Sequence, residues 1–339
     1  MANSWASKAA HLASDSEVAT ARNTLVSLLT PNQNFIFNPD LDGVLAAGLL
    51  RHHLTWQPHG IAACNGEPDD AFWTVGAGWR EEDAVFVDMW VHPPGVRVLD
   101  QHITAYDDAH HLQLATNPNK VNPNLAWPRT LLGTGSREYQ WKYPFGVVHF
   151  VLAGLEAAGH KVVLQNTPMH GFSAFDLLLR ADDASYSTAV KYRKNALGWW
   201  DLLVRLGGPT TRAIAEHAIA LTSTEAEQRK QAVESWLQQM RRPVTTRGPK
   251  DGGFASAIRA QDAWTMEMET YTDAILKAFA LPSLRFAEPL VRQRLQGDRI
   301  YPNSPQVPAV LQDSRLFAYA FTSSTQGRQY SPGFSYARR

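Results

Sequence analysis

Among 339 residues there is a single cysteine, Cys64. One thiol can neither close an intrachain disulfide nor build a cysteine-based zinc site, so any metal must rest on carboxylates and imidazoles. An excess of either charge is missing too: 32 Lys and Arg balance 32 Asp and Glu. That balance argues against coating nucleic acid through bulk positive charge and leaves room only for a local basic groove. No apolar run approaches the roughly 18 residues that span a bilayer. The opening stretch MANSWASKAAHLASDSEVATARNTL lacks the continuous apolar core of a secretory signal. The expectation is a protein with no membrane partner, cytoplasmic by default. GxSxG, HExxH and Walker A patterns are also absent, which removes several hydrolase classes. The stretch GTGS at 133–136 is too short to serve as a nucleotide fingerprint.

What is present suits a globular chain: 44% hydrophobic residues, 19% charged and a mean hydropathy of −0.29. The length suffices for two lobes. Apolar positions at helical spacing predict a leading amphipathic helix over about residues 5–30. NFIFN at 34–38 follows as a buried strand, and GVLAAGLLRHHL at 43–54 as a helix packed on a sheet. Short apolar runs at 60–64, 84–89 and 96–100, bounded by Gly, Pro or charge, predict strands of a buried parallel sheet. A helix is expected over 144–159, started by Pro144, with further helices near 210–221, 224–241 and 260–280. The Pro, Gly and cation-rich RRPVTTRGPKDGG at 241–253 predicts a linker. The expected fold is α/β: a parallel-sheet domain over 1–240 with helices on both faces, and a smaller C-terminal α+β region over 254–339.

Aspartates mark the strand ends. NFIFNPDLDG places Asp40 and Asp42 just after the first strand, and two further strands run into Asp88 and Asp100. In open α/β sheets ligands bind outside the carboxyl ends of strands, so these four carboxylates are expected to converge on one edge. Each has a structural alternative as a turn or helix cap, since Asp-Gly is an ordinary loop signal. Hard cations such as Mg²⁺ or Mn²⁺ prefer carboxylate oxygens, and manganese also accepts imidazole. Two such ions a few ångströms apart can clamp both oxygens of a phosphoryl transfer.

The series resembles the DHH phosphoesterases, which include RecJ-type exonucleases, short-oligonucleotide hydrolases and family II pyrophosphatases. NPDLDG at 38–43 is similar to their first motif, VFVDM at 85–89 to the second, VLDQHIT at 98–104 to the third and LLLRADDA at 177–184 to the fourth. The resemblance covers roughly residues 33–200. It implies one or two Mn²⁺ or Mg²⁺ ions on Asp40, Asp42, Asp88 and Asp182, with Asp88 bridging if two ions bind. Asp100 and His102 would be the catalytic pair, His102 contacting the phosphate. Asn38, Gln101 and Asp183 are further candidate ligands, Asp183 as an alternative to Asp182. The implied substrate is a nucleotide, a short oligonucleotide or a related phosphoester, with Arg241 and Arg242 holding its backbone in a basic cleft, and a homodimer is a candidate assembly.

Two positions depart from the family pattern. Ile36 stands where a histidine is common, and Gln101 stands where the third motif has a metal-binding histidine. Gln offers only a carbonyl oxygen, which implies a site reduced to one ion or a binding module that no longer catalyses. YDDAHH at 106–111 offers replacement ligands in Asp107, Asp108, His110 and His111, or else begins a solvated helix. DGGFASA at 251–257 is a faint echo of the family's glycine-rich substrate loop, without its histidine.

Overall fold

A computed structural model describes residues 4–76, 78–129, 140–301, 304–326 and 329–339; GTGS at 133–136 lies outside them. The leading helix is shorter than its periodicity suggests. A 3-10 turn at Ala6–Lys8 is followed by α1 (Asp15–Leu28), because Ser14 and Glu17 form a reciprocal capping box that starts a new helix. β1 (Asn34–Phe37) then leads into α2 (Leu41–Leu54), capped by Asp40, whose carboxylate accepts the Gly43 N–H at 3.0 Å. Gly43 is required sterically, since a Cβ there would stand 2.1 Å from the Asn38 carbonyl oxygen.

β2 (Gln57–Ala63), β3 (Ala71–Val75), β4 (Val85–Val87) and β5 (Arg97–Leu99) come next. After them α3 (Asp108–Ala115), β6 (Lys120–Val121) and α4 (Pro123–Ala126) lead to α5 (Val147–Ala157). α5 is capped by Gly146 rather than begun by Pro144. A helical stretch follows: α6 (Ala174–Leu178), α7 (Ala184–Tyr186), α8 (Arg193–Leu206), α9 (Pro209–Ala220) and α10 (Ser223–Arg241). α11 (Ala255–Gln261) and α12 (Met266–Lys277) replace the single helix expected over 260–280, with Asp262 left-handed between them. The chain closes with β7 (Leu290–Arg294), β8 (Gln296–Ile300), α13 (Val307–Leu311), β9 (Leu316–Gln326) and β10 (Gln329–Arg338).

Seven strands form one sheet in the order β6-β5-β4-β1-β2-β3-β7. β6 through β2 are mutually parallel; at the other edge β3 runs antiparallel to β2, and β7 runs antiparallel to β3. β1 has β2 on one side and β4 on the other, so the connections diverge on either side of it, the place where open sheets hold ligands. Alternation along β1 divides the interior in two. Phe35 and Phe37 face the core shared with α1, α2, α5 and α8, while Ile36 joins Phe72, Phe86 and Val98 on the opposite face. That second face carries α3 and α13 but is covered chiefly by a three-stranded antiparallel sheet, β8-β10-β9, through Phe317, Tyr319, Phe321 and Phe334.

The packing does not change at 241–253, where a linker was expected. Phe254, Ile258, Tyr271 and Leu276 share the core of α2 and α5, and β7 extends the main sheet. Apolar continuity across this Pro- and Gly-rich turn outweighs its linker-like composition. Beneath the β4–β5 connection the buried Lys120 ammonium donates to the carbonyls of Val91, Pro93 and Val96 at 2.5, 2.8 and 2.9 Å, fixing the loop that carries Asp88. Among the described residues no helix is long and apolar enough to cross a membrane.

Candidate metal centre

Parallel register brings the ends of β1, β4 and β5 side by side, and each hands on to an aspartate: Asp40, Asp88 and Asp100. Among the described residues, one group of carboxylates and imidazole gathers ligating atoms within 4.8 Å of one another: Asp88, Asp100 and His102. Asp88 and Asp100 are buried, and His102 keeps 31% of its side chain exposed. Asp88 adopts a left-handed φ of 60°. Such a conformation costs a non-glycine residue about 1–3 kcal/mol and persists where the surroundings enforce it. Here the backbone is held by the Asp88 N–H on the Leu99 carbonyl at 2.9 Å.

Asp100 orients the histidine. Its carboxylate meets His102 Nδ1 at 2.7 Å and accepts the His102 backbone N–H at 3.0 Å, while Asn122 donates to it at 3.2 Å. With Nδ1 engaged, Nε2 is the nitrogen left for the cleft, the arrangement by which carboxylates set imidazole ligands. Burial acts to lower the His102 pKa, but the charge and hydrogen bond of Asp100 outweigh it and raise it to about 9.

The other expected ligands separate into distinct roles. Asp42 is a correction: both its oxygens are taken by the first turn of α5, from Val147 N–H at 2.7 Å and Val148 N–H at 2.9 Å. It substitutes for the cap that Gly146 cannot supply, and a Cβ on Gly146 would stand 2.5 Å from its carboxylate. Position explains the split: Asp40 caps α2, whereas Asp42 lies inside its first turn and points toward α5. Asp40 stays at the cluster, joined through Asn38 Nδ2, which donates to Asp40 at 2.6 Å and to Asp88 at 3.1 Å.

Gln101 contributes its amide nitrogen, not its carbonyl oxygen, donating to Asp88 Oδ1 at 3.1 Å. Together with Asn38 it satisfies both Asp88 oxygens. Of the adjacent pair, Asp183 is engaged elsewhere, 2.8 Å from Arg180 and 2.7 Å from Lys230. Asp182 is the member whose charge acts on His102 and Asp88. Arg241 is a second correction. Its buried guanidinium donates to the Pro249 and Gly253 carbonyls at 2.8 and 2.6 Å, bracing a loop instead of lining a cleft, and Arg242 points to solvent. The YDDAHH stretch takes its structural alternative: Asp107 caps α3 through the His110 N–H, and His111 Nε2 lies 3.2 Å from the Leu125 carbonyl.

Sequence alone missed Asp251 and Lys142. The 249–254 loop returns to the site, with the Phe254 N–H on the Pro39 carbonyl at 2.9 Å and Gly253 close enough that its Cβ would lie 3.5 Å from Asp40 Cβ. Asp251 thereby adds negative charge beside Asp40. Burial first, then Asp251, push the Asp40 carboxyl up to about 7. Burial and the charges of Asp40, Asp42, Asp182 and Asp100 hold Asp88 well above the usual carboxylate range. The positive charge of Lys142 acts in the opposite sense, lowering the pKa of both Asp182 and His102. The only signal for Asp251 was the Asp-Gly-Gly turn; Lys142 lies in no motif.

The donor set fits a hard divalent cation. The Asp88 carboxylate and the His102 imidazole, gathered with Asp100 within 4.8 Å, suit manganese or magnesium, and the crowded buried acids around them are short of positive charge. No family model matches this chain, and no match was found among curated proteins or solved structures.

Proposed function

We propose that this chain is a metal-dependent phosphoesterase that uses one Mn²⁺ or Mg²⁺ and acts on a nucleotide or related small phosphoester. The observation that carries the proposal is the Asp88, Asp100 and His102 group at the carboxyl ends of adjacent parallel strands, where the sheet connections diverge. The order of motifs, resembling that of the DHH phosphoesterases, supports the same reaction class. Asp88 and His102 Nε2 would hold the cation, which when bound supplies charge neutralisation at phosphoryl oxygens. Asp100 keeps the His102 ring turned to the cleft, and Asn38 ties Asp40 to Asp88 so that both carboxylates stay in register. The 249–254 loop packs beside Asp40 through the Phe254 N–H on the Pro39 carbonyl and the close approach of Gly253. Hydrolysis of a panel of nucleotides and of bis(p-nitrophenyl) phosphate in Mn²⁺ tests the proposal. Asp88→Asn is expected to lower turnover by at least a hundredfold; an unchanged rate would defeat it.

One observation favours a second reading, a nucleotide-binding module without catalysis: the amides of Asn38 and Gln101 already satisfy both Asp88 oxygens. Under that reading nucleotides raise the melting temperature without Mn²⁺, and no turnover is seen with any substrate.

A further inference from the structure

A cavity of about 270 Å³ opens beside the cluster, with Asn38, Asp88 and His102 on one side and Arg259 and Arg299 on the other. Its size is near the lower end of ligand pockets, roughly 300–1,000 Å³, which suits one small molecule better than a nucleic-acid strand. Topology separates the two sides. Asp88 and His102 follow β4 and β5, whereas both arginines gather on the β2–β3 connection. Arg259 lies 3.4 Å from Asp69 and 3.5 Å from Asp70, and Arg299 donates to the Asn65 carbonyl and to Glu67 at 3.2 Å. With β1 between β4 and β2, the two ends stand two to three strand spacings apart, roughly 10–14 Å.

The arginines keep donors in reserve. Arg259 uses Nε and Nη1 in long contacts, and Arg299 uses Nε and Nη2; among the described residues Arg259 Nη2 and Arg299 Nη1 have no partner. A guanidinium presents five N–H donors in a fixed fork suited to carboxylate and phosphate oxygens. An independent feature of the same cavity points to a ligand. Ser335 lines it, is 5% exposed, and its hydroxyl has no hydrogen-bond partner. Buried polar atoms are rarely left unsatisfied without a functional reason.

We propose that Arg259, Arg299 and Ser335 form an anion subsite across the cavity from Asp88 and His102, so that the preferred ligand is a small phosphoester carrying a second anionic group. The assignment rests on the phosphoesterase reading for the end of the ligand that is a phosphoester; the subsite itself rests on the cavity. A carboxylate and a phosphate share the chemistry the arginines recognise.

The test uses phenyl phosphate, 4-carboxyphenyl phosphate and 1,4-phenylene bisphosphate, titrated calorimetrically into the full chain in millimolar Mn²⁺, with Mn²⁺ binding measured in parallel. The expected result is that at least one doubly anionic probe binds tenfold or more tighter than phenyl phosphate. Which one does so identifies the second group as carboxylate or phosphate. Arg259→Gln with Arg299→Gln is expected to abolish that advantage and leave phenyl phosphate and Mn²⁺ binding unchanged. Arg299→Gln alone, on a half-exposed side chain, is expected to remove several-fold of it. Equal affinities for all three probes, or an advantage that survives both substitutions, would overturn the subsite. Mn²⁺ binding without a probe preference defeats the subsite alone. A preference that persists in a chain binding no Mn²⁺ supports the subsite and defeats the phosphoesterase reading.

Discussion

Asp42→Asn separates a helix anchor from a metal ligand. In the wild type the carboxylate accepts Val147 N–H at 2.7 Å and Val148 N–H at 2.9 Å, at the start of an 11-residue helix whose own cap residue is glycine. An asparagine offers one acceptor oxygen, so one of the two bonds survives as a neutral one and the other N–H faces an amide NH₂. Losing a charge-assisted bond removes roughly 1.5–3 kcal/mol, and leaving a buried N–H unpaired costs roughly 1–3 kcal/mol. The negative charge at the helix start contributes a further ~0.3–2 kcal/mol. These overlap, and burial together with the charges of Asp182 and Asp40 already pushes the Asp42 carboxyl upward, so the variant also sheds some repulsion. The expected net loss is about 2–3 kcal/mol, read as a lower midpoint in urea unfolding at neutral pH. Mn²⁺ affinity is expected to stay within about threefold of wild type, as the ligating atoms lie elsewhere. A variant of unchanged stability that no longer binds Mn²⁺ would refute the cap and return Asp42 to the ligand set.

Gln101→His places an imidazole where an amide now donates to Asp88, and Mn²⁺ affinity is expected to rise about tenfold in a fluorescence or calorimetric titration, of the order seen for changes around metal ligands; a weaker affinity would show that Gln101 supports the site. His149 is buried, and burial lowers its pKa to about 4, so the folded state binds fewer protons than the unfolded state between that value and about 6.5. Stability is therefore lost as pH falls through this window, by about 2 kcal/mol from pH 7 to pH 5 for this group. Urea unfolding at the two pH values should show that component disappear in His149→Gln, and an unchanged pH dependence would reject it. Asp183→Asn, which breaks the contacts to Arg180 and Lys230, is expected to cost about 1–3 kcal/mol in stability and leave turnover intact. Asp182→Asn is expected to do the reverse, and a kinetic and unfolding comparison of the two checks the assignment.

Legibility in the sequence followed the range of the interactions. β1, α2 and the parallel strands β2, β4 and β5 were readable because their signals are local: short apolar runs and, after β1, an acidic turn and an alanine-rich helix. Their order also placed Asp40, Asp88 and Asp100 on one edge, since strand ends in a parallel sheet share a side. β7 was not readable. Its partner β3 lies about two hundred residues earlier, and LVRQR has little of the apolar pattern of a buried strand. Charge was the least legible property. Arg241 and Arg242 look like cleft cations, yet one turns inward to brace carbonyls and the other faces solvent, while Arg259 and Arg299, themselves in no motif, reach the cavity. The Asp-x-Asp pair could not reveal that its second member serves α5, because that helix arrives more than a hundred residues later.

The most direct measurement is the metal content and melting temperature of the purified chain, with and without Mn²⁺, for wild type and Asp88→Asn. A cation held by Asp88 and by the His102 imidazole that Asp100 orients binds only the folded state. At a hundredfold excess over its Kd it should therefore add about 2.7 kcal/mol of stability. The expected outcome is close to one Mn²⁺ per chain and a clear rise in melting temperature for wild type, with neither in Asp88→Asn. Wild-type protein that retains no metal and melts at the same temperature in millimolar Mn²⁺ would contradict the metal centre.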